Sequence, residues 1–151
     1  MFKKIIFFLI IMNFLSACGF VPLHSNKNLK GLNIEIISLS GDKEVNSNFK
    51  NFLKKTNNTE TEIFKIKIAS DYKKIDFSKN TTGTVSLYKL ILSSTINIEY
   101  NDKKHKIIFD ESYNMENMTN NYDENKYERL IKQNFAKSVV SKLNIELLKL
   151  R

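Results

Sequence analysis

The sequence predicts an α+β domain in which two helices pack on one face of a four-stranded, mainly antiparallel sheet, as a two-layer sandwich. Apolar residues alternate with a period of two in four segments, which is typical of half-buried strands, and recur every three to four residues in two others, which is typical of amphipathic helices. The order is strand, helix, three strands, helix. Because the helical stripes and one sheet face can bury each other, the second face is left to solvent or to a partner.

The first strand and the first helix follow each other closely. In the range 32–39 apolar residues occupy alternate positions, and Gly41-Asp42 ends the strand. In the range 44–55 they recur at spacings of four, three and one, which places them along one helical face before the break at Asn57-Asn58. The strand residues are Leu32, Ile34 and Ile36, and the helix residues are Val45, Phe49, Phe52 and Leu53.

Three strands come next, over the ranges 63–77, 85–100 and 106–113. The range 78–83 is polar and turn-like, and Asn101-Asp102 supplies the residues that a tight hairpin favours. The apolar sets on alternate positions are Phe64, Ile66 and Ile68, then Leu90, Leu92, Ser94, Ile96, Ile98 and Tyr100, then Ile107, Phe109 and Tyr113. In the first of these strands, Lys65 and Lys67 point the other way.

A long helix forms the last element, after a polar connection over 117–122. Asp123-Glu124 places acidic side chains at its amino terminus, where the macrodipole favours them, and the helix runs toward Leu148. Its apolar stripe is predicted to be Tyr127, Leu130, Ile131, Phe135, Val139 and Leu143, with Lys126, Lys132, Lys137 and Lys142 mostly outside.

The amino terminus has the layout of a bacterial lipoprotein signal peptide. Lys3-Lys4 precedes an apolar run, and small residues lead to Cys18, the only cysteine of the chain. Acyl chains such as palmitate would be attached at Cys18, which makes the sulfur a linker rather than a catalytic or disulfide group. The apolar run spans about a dozen residues, too few for a membrane-spanning helix of about 20. An ordinary cleaved secretory signal is the remaining alternative.

The chain is therefore divided into a cleaved signal peptide at 1–17, a lipidated linker at 18–30 and one domain at 31–151. Gly19 is not the aspartate that retains many Gram-negative lipoproteins in the inner membrane, so delivery to the cell outer membrane is expected. The formal charge of +8 falls to +6 when Lys3 and Lys4 leave. This charge favours anionic lipid or lipopolysaccharide over nucleic acid in an exported protein, unless it reflects only a nucleotide-composition bias.

No constellation of side chains indicates catalysis. The two histidines, His24 and His105, have no spacing with Cys, Asp or Glu that suits a metal or a hydrolase site. Asp110-Glu111 is adjacent in a strand, so the two carboxylates point to opposite faces. The four glycines are too scattered for a phosphate-binding loop. We therefore expect no enzyme activity, no cofactor and no metal.

The chain resembles the lipopolysaccharide-assembly lipoprotein LptE (RlpB) family in its alphaproteobacterial form. The segment Cys18-Gly19-Phe20-Val21-Pro22-Leu23 is close to the family's Cys-Gly-Phe-x-Pro-Leu opening. The element order, the polar loop leading to Gly83, the long strand with Leu87-Tyr88-Lys89-Leu90 and the Tyr-rich link before the last helix also agree. The resemblance implies a non-enzymatic plug of the outer-membrane β-barrel LptD that assists assembly of the barrel and lipopolysaccharide insertion, lying on the periplasmic side or inside the barrel lumen.

The resemblance also implies basic contacts with lipopolysaccharide in two loops. Lys79 lies in the first of them, before the long strand, and Lys126 lies a turn inside the helix that follows the second. Solvated charges are the alternative at both positions. At the level of the whole protein, the alternative is a generic outer-membrane lipoprotein that scaffolds another envelope complex, because one fold can serve many partners.

Overall fold

The computed structural model describes residues 32–53 and 63–151. The predicted signal peptide, the linker with Cys18 and the helix break at Asn57-Asn58 lie outside the described residues. Within them, four strands and two helices follow the predicted order. The elements are β1 (Asn33–Gly41), α1 (Lys43–Phe52), β2 (Ile63–Lys79), β3 (Val85–Tyr100), β4 (Lys103–Glu116) and α2 (Asn121–Leu150).

The four strands form one mixed sheet in the order β1-β2-β3-β4. β2, β3 and β4 are an antiparallel meander, whereas β1 pairs with β2 in parallel. The parallel pair follows from the chain order, because a helix between two strands carries the chain back to the end where the first strand began. The α+β class is confirmed, and the sheet differs from the expectation only in this first pairing.

The core lies between the helices and one face of the sheet, which we call the inner face. The predicted inward residues of β2 and β3 are buried there, and they include Ser94. The helices contribute the predicted residues Val45 and Phe49 of α1 and Ile131, Phe135, Val139 and Leu143 of α2. The alternation of the strands and the spacing in the helices therefore identified most of the core.

Left-handed backbone occurs at the β3–β4 hairpin and at the end of β1. Asn101 and Asp102 join β3 to β4 with φ of 49° and 59°, as expected for a hairpin loop that requires positive φ at both positions. Gly41 ends β1 with φ of +96°, and a Cβ there would lie 1.7 Å from the carbonyl oxygen of Ser70. Only glycine allows this close approach of β1 to β2.

Both helices begin at side-chain caps. Asp42 accepts hydrogen bonds from the amides of Glu44 and Val45, and Asn120 accepts one from Tyr122. α2 thus starts before the predicted Asp123-Glu124, which occupies its first turn.

Four side chains differ from their predicted environments, and one of them is Tyr113 of β4, which is 42% exposed. Leu130 and Phe52 are exposed rather than part of the apolar stripes, and the side chain of Lys132 is only 12% exposed. Lys132 is drawn inward because acidic residues at the start of α1 face it across the helix interface.

Candidate functional site

The long strands separate the two ends of the domain widely. β2 rises about 3.3 Å per residue, so Lys65 and Lys79 lie about 45 Å apart. We call the end with the β2–β3 turn (residues 80–84) the distal end, and the end where β1 and β2 begin the proximal end. The link of residues 117–120 between β4 and α2 is also at the distal end, since Glu116 pairs with Leu87 near the start of β3.

The β2–β3 turn at the distal end is held by one asparagine. The side-chain oxygen of Asn80 accepts hydrogen bonds from the amides of Thr82 and Thr84 and from the hydroxyl of Thr82. The backbone adds Asn80 N to Thr84 O at 2.8 Å and Gly83 N to Asn80 O at 3.0 Å. An asparagine side chain that satisfies amides ahead of it fixes a turn without help from the core.

The link of residues 117–120 is tied to the turn and to α2. Asn117 donates its side-chain amide to Val85 O at 2.7 Å and its backbone amide to Ser86 O at 3.0 Å. The amide of Met118 donates to the Glu124 carboxylate at 3.1 Å. The two loops that the sequence singled out therefore lie side by side at one end of the sheet.

Lys79 and Lys126 are both exposed at this end. The ammonium of Lys79 is 3.8 Å from the carboxylate of Asp76, with both side chains more than half exposed. Lys126 lies in the second turn of α2, where no ion pair with a described residue restrains it. Exposed aromatic rings accompany these lysines, since Phe77 is 52% and Tyr122 is 73% exposed. The distal end therefore carries both exposed cations and exposed aromatic rings.

A partly buried ion-pair network holds the start of α2 against β2. The ammonium of Lys74 lies 2.7 Å from Glu124 and 3.0 Å from Glu128, and 4.4 Å from the ring centre of Tyr88. Tyr72 donates its hydroxyl hydrogen bond to Glu128 at 2.8 Å. Because Glu124 also accepts from Met118, the network positions the link of residues 117–120 as well as the helix.

The titration of these groups reflects the pairing. The hydrogen bond from Lys74 is the largest influence on Glu124 and holds its pKa below the usual value, despite burial. Burial alone would lower the pKa of Lys74, but hydrogen bonds and charges of Glu124 and Glu128 outweigh it, so this pKa is raised. Burial and the Glu128 carboxylate raise the pKa of the Tyr72 hydroxyl. All three groups therefore keep their ordinary charge states near neutral pH.

A second network joins α2 to α1. The ammonium of Lys132 lies 3.1 Å from Asp42 and 3.4 Å from Glu44, and 4.2 Å from the ring centre of Tyr72. Burial pushes the pKa of Asp42 up, but hydrogen bonds from Val45 and Lys132 and the charge of Lys132 bring it below the usual value. Asp42 is thus both the cap of α1 and the acid that fixes α2.

The sequence pattern missed the pairing of Lys74 with Glu124, although one signal for Lys74 was present. The alternation that turns Ile66, Ile68 and Tyr72 inward also turns Lys74 inward. The partner is not predictable in the same way, because Glu124 belongs to an element far along the chain.

The outer face of the sheet, opposite the helices, is not covered by any element of the described residues. It is formed by the odd-numbered residues of β2 and β3 and the even-numbered residues of β4, which are exposed or half-buried. Ile75 and Ile108 on this face are 44% and 54% exposed. It is a long surface of mixed polarity that no part of this domain occupies.

The described residues contain no group of three or more His, Cys, Asp or Glu side chains that could hold a metal ion. Asp110 and Glu111 point to opposite faces, as predicted, and Glu111 accepts from Ser138 and Lys142 of α2. In residues 32–53 and 63–151, no helix is long and apolar enough to cross a membrane.

Comparisons with solved structures assign the fold. The rare lipoprotein B from Shewanella oneidensis superposes with a TM-score of 0.60 at 13% identity, over 78% of this chain and 98% of that chain. A protein of Caulobacter crescentus CB15 assigned as a lipoprotein superposes with a TM-score of 0.52 at 11% identity, over 77% and 92% of the two chains. No protein-family model matches the sequence, and no curated protein matches it. The chain thus shares the fold of these two proteins.

Proposed function

We propose that this protein is an outer-membrane lipoprotein that assists assembly of an LptD-type β-barrel, plugs it, and takes part in lipopolysaccharide transport and insertion. The fold of rare lipoprotein B and the lipoprotein-type signal before Cys18 both support this proposal. A protein of this kind acts by binding and positioning, which agrees with a sequence that lacks a catalytic constellation.

The uncovered outer face carries the proposal. A domain that leaves one whole sheet face open, with exposed Ile75 and Ile108 upon it, has room for a large partner rather than a small ligand. The wall of a β-barrel is such a partner, because its lumen is lined by polar side chains that match a face of mixed polarity. The generic scaffold is the competing function, and it would use the same face for a different protein.

The distal end supplies the proposed contact with lipopolysaccharide. Lys79 and Lys126 present ammonium groups for lipid A phosphates, and the exposed Phe77 and Tyr122 present apolar surface. The turn held by Asn80 and the link held by Asn117 and Glu124 keep these side chains on a rigid base. A preorganised base reduces the entropy lost on binding.

Crosslinking in cells tests the partner. A photo-crosslinking amino acid at Ser93 or Ser112, both on the outer face, should trap one large outer-membrane barrel. The same amino acid at Gln133, on the exposed side of α2, is the matched control and should trap it less. Capture of small periplasmic proteins alone, or of nothing, would reject the plug and favour the generic scaffold.

The anchor is tested separately. Changing Cys18 to Ala removes the only cysteine, so metabolic labelling with a fatty-acid analogue should mark the parent chain and not the variant. The variant should also leave the outer-membrane fraction. Labelling that survives Cys18→Ala would reject lipidation at this residue.

A further inference from the structure

The proximal end of the outer face carries a basic groove of about 340 Å³. Four lysines line it, two from β2 and two from β4, together with Ile37 of β1. The register places Lys65, Glu99 and Lys104 in one row across three strands. The row beside it contains Lys67, Asn97 and Lys106.

The spacing of the lysines suits several anions on a surface rather than one small ion. Strands lie about 4.8 Å apart and alternate residues about 7 Å apart, so the four side chains start from a rectangle of about 7 by 10 Å. None of them forms an ion pair with a described residue. Glu99 lies between the lysines, and Glu35 of β1 stands opposite Lys65 in the strand register, so the four cations exceed the two acids by two.

Apolar side chains border the same groove. Ile63 and Ile108 each lie two residues from a groove lysine on the same face, and they are 43% and 54% exposed. Ile37, where the β1–β2 register shifts, is 46% exposed. Basic groups beside exposed apolar side chains are the combination that holds a protein at a lipid headgroup layer.

The position of the groove identifies the layer. Asn33 pairs with Ile63, so the groove lies at the end of the sheet where the chain arrives from Cys18. That intervening chain spans at most about 50 Å at 3.3–3.6 Å per residue. A lipid on Cys18 thus holds the groove within reach of its own membrane, at a high effective concentration, while the distal end lies another 45 Å along the sheet.

We propose that the groove of Lys65, Lys67, Lys104 and Lys106 binds anionic phosphoglycerol headgroups of the membrane leaflet that carries the Cys18 lipid. This binding turns the proximal end toward the leaflet and the distal end away from it. The proposal rests on the lipid anchor of the proposed function, and it leaves the middle of the outer face to the barrel. Each lysine near an anionic surface strengthens attachment about fivefold, so four lysines suffice to bias the orientation.

Reconstituted full chain tests the proposal. A fluorophore is attached to a cysteine introduced at Asn97, inside the groove, and a headgroup-linked quencher reports contact with the vesicle surface. We expect quenching with vesicles that contain phosphatidylglycerol and little with phosphatidylcholine alone. The double variant Lys65→Gln/Lys104→Gln should lower the ratio of protein with its groove on the vesicle surface to protein with its groove away from it about 25-fold. Raising the salt to 1 M should act in the same direction.

Controls decide the interpretation. Lys43→Gln/Lys137→Gln removes the same charge from the helices and should leave quenching unchanged, and a probe at Thr82 in the distal turn should remain unquenched. Equal quenching in both lipids, or quenching that ignores the groove lysines, overturns the proposal. Loss of quenching when inorganic phosphate is added at matched ionic strength also overturns it, because the groove would then bind a free anion rather than lipid headgroups.

Failure of the anchor is distinguishable from failure of the groove. If the chain does not sediment with phosphatidylcholine vesicles, lipidation at Cys18 is absent and the proposed function is at fault. Sedimentation of that unanchored chain with phosphatidylglycerol vesicles, lost in Lys65→Gln/Lys104→Gln, would still support the groove. No sedimentation with either lipid would overturn both proposals.

Discussion

The ammonium of Lys74, on the inner face of β2, lies 2.7 Å from the carboxylate of Glu124 in the first turn of α2. Both side chains are largely withdrawn from solvent, with exposed fractions of 25% and 11%. The pair joins the sheet to the helix next to the link of residues 117–120. A change at Lys74 should therefore affect stability and the shape of the distal end together.

Replacing Lys74 with Met should lower the free energy of unfolding by about 2–4 kcal/mol, because Glu124 and Glu128 would be left without their cation in a partly buried site. Lys73→Met is the matched control on the same strand, since Lys73 is 63% exposed and pairs only with the equally exposed Asp71. Its effect should stay within about 0.5 kcal/mol. Urea unfolding of the purified chain measures both, and equal effects would contradict the assigned role of Lys74.

Low pH should destabilise the protein, because it protonates Glu124 and Asp42, which form ion pairs with Lys74 and Lys132. The pKa values of Glu124 and Asp42 are lowered in the folded state from ordinary values of 4.5 and 3.8. A lowered folded pKa contributes stability that is fully present above the unfolded value and is lost as pH falls through the folded value. The free energy of unfolding should thus fall below about pH 5. Lys74→Met should show a shallower fall, because it removes the main cause of the Glu124 shift, and an unchanged slope would contradict this.

Gly41 and Gly83 form a matched pair for backbone strain. Both have positive φ, at +96° and +81°, but a Cβ at Gly41 would meet Ser70 O at 1.7 Å, whereas nothing lies within 4 Å at Gly83. Gly83→Ala should cost about 1 kcal/mol from the left-handed backbone alone. Gly41→Ala should cost about 3 kcal/mol or more, since β1 must also move away from β2. Thermal unfolding of the two variants checks the order, and similar midpoints would reject the contact.

Two serines opposite each other on β2 and β3 should respond in opposite directions. Ser70 donates at 2.9 Å to Asn46 and lies 3.1 Å from Ser40 O, whereas the buried hydroxyl of Ser94 has no partner among the described residues. Ser70→Ala should cost about 1–2 kcal/mol. Ser94→Ala should be neutral or stabilise by up to about 1 kcal/mol, because it removes a buried unsatisfied group. A destabilising Ser94→Ala, measured by urea unfolding, would contradict this account.

The sequence predicted the elements where local chemistry decides them. β3 has the predicted bounds because buried residues alternate from Leu90 to Tyr100 and Asn101-Asp102 stops the strand with a left-handed turn. The predicted inward and outward residues of β2 were also correct. The fold class followed from these patterns, whereas the parallel pairing of β1 with β2 was not predicted.

The features that the sequence did not reveal are contacts between distant elements. A pattern assigns a lysine to solvent because charge is usually solvated, yet Lys132 is covered by acids at the start of α1. Similarly, the family resemblance pointed to Lys79 in the first loop, whereas the hydrogen bond of Asn117 to Val85 that places the second loop beside it depends on the register of β4. Such contacts require the folded arrangement of the sheet.

Binding of lipopolysaccharide should depend on Lys79, and less on Lys126. An exposed ion pair is worth about 0–1 kcal/mol, so Lys79→Ala should weaken binding by no more than about fivefold, and Lys79→Glu more, through repulsion. Asp76→Asn should strengthen binding slightly, because Asp76 competes for the Lys79 ammonium at 3.8 Å. Binding should also fall with rising salt, since screening acts within about 10 Å at 0.1 M.

Lys137→Glu, on the exposed side of α2, carries the same charge change as Lys79→Glu and should have little effect. Titration of the purified chain with lipopolysaccharide measures all of these variants, and binding that ignores Lys79→Glu and salt alike would mean that lipopolysaccharide contacts other residues of the domain.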